Sequence, residues 1–253
     1  MKAVRWVIAG LVLISAGVSM GELYTFDSLQ HGEIVNSQVP GLTVQAINIG
    51  GGPDLALAFD TTRTGTRDPD LENPWSGGNL PWDTDLGHLL ILAENGRDAN
   101  NDGLVDNPDD EGSRPAGSLI FGFDTPVAEF GFDLVDVEGP TEFGNDAGYA
   151  ALFFSGGSLV ARIGFGDFID PTSPHYLDGV EYGNRYANRI DPIQASTFGS
   201  ESFSRVEINL GGSAGVDNIR VRVPEKQVPD AGATSLLLGV AMAALVVLKR
   251  VRG

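Results

Sequence analysis

Cysteine is missing from all 253 positions, which rules out a disulfide framework and any thiolate metal site. Histidine is scarce, and His31, His88 and His175 stand too far apart in the chain to suggest a zinc centre. Positive charge is also in short supply. Lys and Arg number 16 against 34 Asp and Glu, and five of the 16 (Lys2, Arg5, Lys249, Arg250 and Arg252) lie in terminal segments that contain no acid. The body from Glu22 to Asp230 therefore carries 11 basic and 34 acidic residues, a net charge of −23. Such a body repels phosphate backbones, which argues against nucleic acid as a partner. Divalent cations are its natural counter-charge. No interior stretch sustains a 3.6-residue apolar period, while 34 Gly and 14 Pro supply turn signals throughout.

Both ends carry address-like patterns. Lys2 and Arg5 precede an apolar run over 6–14, and Ser19 and Gly21 fit a small-x-small cleavage rule, so residues 1–21 are expected to be a signal peptide cut before Glu22. At the other end residues 231–248 are uncharged. At about 1.5 Å per residue a helix of that length just spans a hydrocarbon core. Lys249, Arg250 and Arg252 follow at once and would hold that end in the cytoplasm. Upstream stand Val228, Pro229, Asp230, Ala231 and Gly232. This order of short motif, apolar helix and basic tail resembles the PEP-CTERM class of sorting signals and, within it, the VPDSG variant, with Ala231 in place of the family's Ser. The resemblance implies recognition by an exosortase, a membrane cysteine protease, in bacteria that often make exopolysaccharide. It makes residues 224–253 a linker, sorting motif, transmembrane helix and basic tail. It also implies a chain held at the inner membrane before it reaches the cell-envelope surface or the extracellular matrix.

Residues 22–223 are expected to form one acidic domain. Segments rich in β-branched and aromatic residues recur at 23–27, 42–48, 55–60, 88–94, 118–123, 127–137, 149–155, 159–165, 203–210 and 216–223. Several alternate, as Val206, Ile208 and Leu210 do, in the manner of half-buried strands. The pattern predicts an all-β fold, an antiparallel two-sheet β-sandwich that is jelly-roll-like, with an immunoglobulin-type Greek key as its rival. Two long breaks, 61–87 and 95–117, are of the length that is functional or metal-ordered in compact domains. Phe26, Asp27, Ser28 and Leu29, with Val216, Asp217, Asn218 and Ile219, are similar to the first and last strands of many carbohydrate-binding jelly rolls. Phe59, Asp60, Asp68, Pro69, Asp70 and Leu71, with Pro108, Asp109 and Asp110, are similar to an uncharacterised domain common among PEP-CTERM proteins.

The strongest local pattern is a calcium loop. Asp98, Asn100, Asp102, Gly103, Leu104, Asp106 and Asp109 stand at positions 1, 3, 5, 6, 7, 9 and 12 of the EF-hand spacing. There, alternate side-chain oxygens and one backbone carbonyl wrap a hard cation around a glycine turn. Strand-like flanks make it an EF-like loop of the kind seen in thrombospondin and dockerin repeats, with Asp110 and Glu111 as outer ligands. A solvated acidic turn is the alternative. Asp27 and Asp217 form a weaker second calcium pair, implied by the jelly-roll resemblance. Asp60, Asp68, Asp70 and Glu72 make a third acidic cluster, where Arg63 and Arg67 favour ion pairing over metal.

Enzyme signals are incomplete. Gly211, Gly212, Ser213, Ala214 and Gly215 spell a nucleophile elbow but lead into a strand, not a helix, and read as a hairpin turn. Asp133, Asp136 and Glu138 resemble the carboxylate strand of concanavalin-like glycosidases, yet only Asp136 and Glu138 would share a face. Trp75 and Trp82, with Tyr176, Tyr182 and Tyr186, could stack on sugars. The expectation is thus an exported, calcium-stabilised, non-catalytic structural or adhesive protein. A carbohydrate-binding module for exopolysaccharide and a glycosidase are the alternatives.

Overall fold

A computed structural model describes residues 21–139 and 148–224. The expected signal peptide, apart from its last residue Gly21, the motif Val228–Gly232 and the apolar run 231–248 lie outside the described residues. Among those described, no helix is long and apolar enough to cross a membrane.

Among the described residues eleven strands run β1 Gly21–Tyr24, β2 Leu42–Asn48, β3 Ala56–Asp60, β4 His88–Leu92, β5 Gly117–Val127, β6 Glu129–Val135, β7 Ala150–Ser155, β8 Ser158–Gly164, β9 Ala187–Gln194, β10 Phe203–Leu210 and β11 Gly215–Arg222. One antiparallel sheet has the order β3-β4-β11-β6-β9, with β1 on the other half of β11, and a five-stranded antiparallel sheet has the order β2-β5-β10-β7-β8. Alternation does the work expected of it. In β6 the residues Phe130, Phe132 and Leu134 point into a shared core, where they meet Phe121 of β5 and Phe153 of β7 from the facing sheet. Phe130 sits at the join, its ring 6.1 Å from that of Phe121 and 6.1 Å from that of Phe153. Rings at such spacings add edge and offset contacts to the area they bury.

The two sheets differ on their outer faces. That of the five-stranded sheet is open and polar, as Arg205, Glu207 and Asn209 of β10 illustrate. That of the larger sheet is covered. Leu57 and Phe59 of β3, Leu89 and Ile91 of β4 and Val135 of β6 form a second apolar cluster with Leu71, Trp75, Leu80, Leu86 and Val105. These last five come from the two long connections, residues 61–87 between β3 and β4 and 93–116 between β4 and β5. The connections thus act as a third layer, which is why β3 and β4 are apolar on both faces.

Strand β9 was not among the expected strands. Its Pro192 lacks an N–H, and its Asp191 breaks the apolar pattern, but β9 is the edge of its sheet, where both are tolerated.

Candidate functional site

Residues 98–109 form a loop closed by carboxylate-to-backbone hydrogen bonds. The Asp98 carboxylate accepts from the backbone N–H of Asp102 (3.2 Å) and of Gly103 (2.9 Å), and Asp102 Oδ1 accepts from Leu104 N (2.9 Å). Asp106 Oδ2 closes the loop by accepting from Ala99 N at 2.8 Å. Gly103 has φ +87°, the left-handed turn for which a residue without Cβ is suited. Leu104 pairs with Glu33 as an isolated bridge, and Val105 is buried against the outer face of the larger sheet, so the loop is tied to the body at its far side. Asn100 donates to Asp102 Oδ2 at 2.9 Å, leaving its own Oδ1 to accept from Asp102 N at 3.0 Å.

Asp109, at position 12, points to other partners. Its Oδ2 accepts from Arg67 Nε at 2.6 Å, and its carboxylate lies in a group with those of Asp68 and Asp110 whose oxygens approach one another within 4.8 Å. A second such group, Asp68, Asp70 and Asp136, shares Asp68 with the first. Asp98, Asp102 and Asp106 belong to neither. Glu111 is also turned away from the loop: it accepts from Asn48 Nδ2 (2.9 Å) and Gly52 N (3.1 Å), fastening the turn after β2.

The third acidic cluster of the sequence splits in two. Asp60 pairs with Arg63 at 3.6 Å as expected. Arg67, however, is taken by Asp109 and Glu94, while Asp68 is sunk to 7% exposure. Asp68 caps a short 3₁₀ turn, Pro69–Leu71, through Oδ1, which accepts from Asp70 N at 3.1 Å. Its Oδ2 is buried without a donor. Asp110 and Asp136, at 6% and 2% exposure, join it. Ser213, in the turn between β10 and β11, places its hydroxyl oxygen 2.7 Å from Asp110 Oδ2 and 2.8 Å from Asp136 Oδ2. One hydroxyl proton can serve only one of those two oxygens at a time. Asp136 takes a further bond from Arg185 N at 3.0 Å and holds φ +58°, a left-handed backbone at the end of β6. Burial pushes Asp136 up to about 7 and Asp68 up to about 6, and it drives Asp110 well above the usual carboxylate range, with the charge of Asp68 adding to the effect.

Asp27 and Asp217 are near enough to interact. Asp217, on β11, is 1% exposed with Oδ1 unpartnered, and burial followed by the charges of Asp133 and Asp27 raises it well above its ordinary value. Asp27 Oδ1 is engaged by His88 N at 2.9 Å.

The enzyme-like residues are committed elsewhere. Asp133 is fully buried and ion-paired with Arg189 and Arg220, and Glu138 with Arg114. Ser213 lies in the turn between β10 and β11, and because those strands belong to different sheets the expected hairpin turn is instead a crossover from one sheet to the other. Of the aromatics, Trp82 is 67% exposed, but Trp75 is at 4% and donates its indole N–H to Thr84 O at 2.9 Å. Trp75 is therefore a core residue of the covering loops and not a stacking platform, because the outer sheet face needs an apolar lid. Tyr176 stays partly exposed beside a groove of about 440 Å³ with His175 and Phe198.

Sequence reasoning missed the convergence of Asp68, Asp110, Asp136 and Ser213. The available signal was an acid beside proline in each long connection, Asp68-Pro69-Asp70 and Pro108-Asp109-Asp110.

Residues 227–252 match the family model of the VPDSG-CTERM motif. That signal marks the chain for export through a membrane-held intermediate, processed by an exosortase-type system, to the surface or the extracellular space. No curated protein and no solved structure matches the chain.

Proposed function

We propose that this chain, delivered by its exosortase-type signal, presents a non-catalytic structural or adhesive domain at the cell surface or in an exopolysaccharide matrix, with calcium ordering its long loops. The observation that carries this reading is the sorting signal at 227–252; the loop chemistry gives it content. Consecutive strands alternate between the sheets except for the hairpins β3–β4 and β7–β8, and β1 pairs with β11, a path that supports a jelly-roll-like sandwich. The acids required for glycoside hydrolysis are held in ion pairs or buried, which supports a non-catalytic role.

For calcium, the residues over 98–106 offer Asp98, Asn100, Asp102 and Asp106 oxygens together with the Leu104 carbonyl, an all-oxygen set suited to a hard cation. Asp109 would serve this loop only by leaving Arg67. The test is a thermal melt of the full chain in detergent, stripped with EDTA and then returned to millimolar calcium. A rise in melting temperature is expected. An unchanged curve would remove calcium from the reading and leave the surface assignment standing.

A further inference from the structure

We propose that Asp68, with Asp109 and Asp110 on one side and Asp70 and Asp136 on the other, forms a buried calcium site that pins both long connections to the end of β6 and to the β10–β11 turn. This site rests on the calcium reading above for its choice of cation, yet it is separate from the 98–106 loop in residues and position.

Three observations carry it. Two oxygens bound to one calcium at about 2.4 Å can lie at most about 4.8 Å apart, and both groups sharing Asp68 meet that limit. Asp68 Oδ2 is buried with no N–H donor, and its carboxylate faces that of Asp110 closely enough to share a proton or a cation with it. A buried carboxylate oxygen without a partner calls for a cation or a proton. Finally, one Ser213 hydroxyl stands between two buried carboxylates and can satisfy only one of them. The ion pairs of the neighbouring acids, Arg67 with Asp109 and Arg114 with Glu138, leave this deficit in place.

The donor set selects the ion. Every candidate ligand is an oxygen, which disfavours zinc and copper. The ligands come from two loops, a strand end and a short 3₁₀ turn. Such an irregular set fits calcium, which tolerates variable geometry, better than magnesium, which demands a near-octahedral shell.

Calcium binding to the EDTA-stripped full chain, measured by titration calorimetry alongside melting temperature, tests the site. Asp68→Asn places an amide donor opposite Asp110 and keeps the shape of the side chain. It should fold, melt in EDTA no lower than the wild type, and lose one calcium-binding event with the matching part of the melting shift. Asp110→Asn should do the same and provides the second variant if Asp68→Asn does not fold. The loop variant Asp98→Asn with Asp102→Asn should keep that event. Full binding and an undiminished melting shift in both Asp68→Asn and Asp110→Asn would overturn the buried site and leave calcium to the loop. No calcium binding by the wild type at pH 8 would overturn both, and would mean that protons alone neutralise the cluster.

Discussion

Asp133→Asn should cost the domain about 3 kcal/mol. Asp133 lies on β6 between β9 and β11, and its carboxylate is fully buried. Arg189 from β9 grips it with two bonds, Nε at 3.0 Å and Nη2 at 2.8 Å, and Arg220 from β11 adds an ion-pair contact at 2.8 Å. Asn218 Nδ2 donates at 3.1 Å. One anion therefore fastens three adjacent strands.

Removing one partner of a buried pair costs about 3–5 kcal/mol, because the other charge is left uncompensated. Here the lower end applies. Arg189 is 44% exposed and Arg220 21%, so both can recover some hydration. Relief also comes from Asp217, whose ionisation is opposed by the charge of Asp133 and favoured by Arg220. For a domain of about 200 residues, each kcal/mol shifts the melting temperature by about 2–4 °C, so a fall of about 6–12 °C is expected. Urea unfolding followed by intrinsic fluorescence measures the free energy. A double-mutant cycle with Arg220→Met should return a coupling of at least about 1 kcal/mol. Since the pair is buried, 1 M salt should leave most of the loss intact. A loss below 1 kcal/mol, or one erased by salt, would show the carboxylate to be hydrated and the reasoning wrong.

Two further predictions follow from the same principles. His31 Nδ1 accepts from Asp60 N at 3.1 Å, and burial together with the charge of Arg63 holds its ring down to about 4, with Asp60 opposing and His88 adding to the effect. Its folded value lies below its unfolded one, so the stability it contributes is present above about 6.5 and lost as the pH falls towards 4. His31 is only partly buried, so solvent screening reduces the effect to roughly 1 kcal/mol. The melting temperature of wild type should drop relative to His31→Asn between pH 7 and pH 4.5, and parallel profiles would refute it. Replacing Pro229 and Asp230 by Ala should leave the full-length chain in the membrane fraction of its host, read by fractionation and mass of the product; normal processing would show that the match over 227–252 is not what the protease recognises.

The sequence disclosed those parts of the structure where one face is apolar and the other wet. β2 and β10 match their expected bounds because each alternates against open solvent. The larger sheet obscured its own pattern. With Leu57 and Phe59 under the loops and Ala56 and Ala58 under the facing sheet, β3 has no polar face to read. The pattern of the Asp98 loop can be read in the sequence because its acids follow one another closely in the chain. Asp68, Asp110, Asp136 and Ser213 come from four separate regions. Each alone looks like an ordinary turn acid or a turn serine, and nothing local in the sequence brings them together.

The same topology explains why these acids lie where they do. The connections over 61–87 and 93–116 reach across the outer face of the larger sheet on apolar side chains such as Leu71, Trp75 and Val105. Those contacts are non-directional, and they hold the loops down without fixing where each loop meets the strand ends. Directional bonds must do that, and here they converge on carboxylates from both loops and on Ser213 at the β10–β11 turn. Carboxylates facing one another repel, so without a counter-charge or a proton the junction opposes the packing of the covering layer. Extracellular calcium modules work with dissociation constants of about 10⁻⁴–10⁻³ M. At about 1 mM calcium a site of about 0.1 mM adds about 1.4 kcal/mol through mass action. That gain works against the repulsion at the junction, and it requires no tighter site than the extracellular modules have.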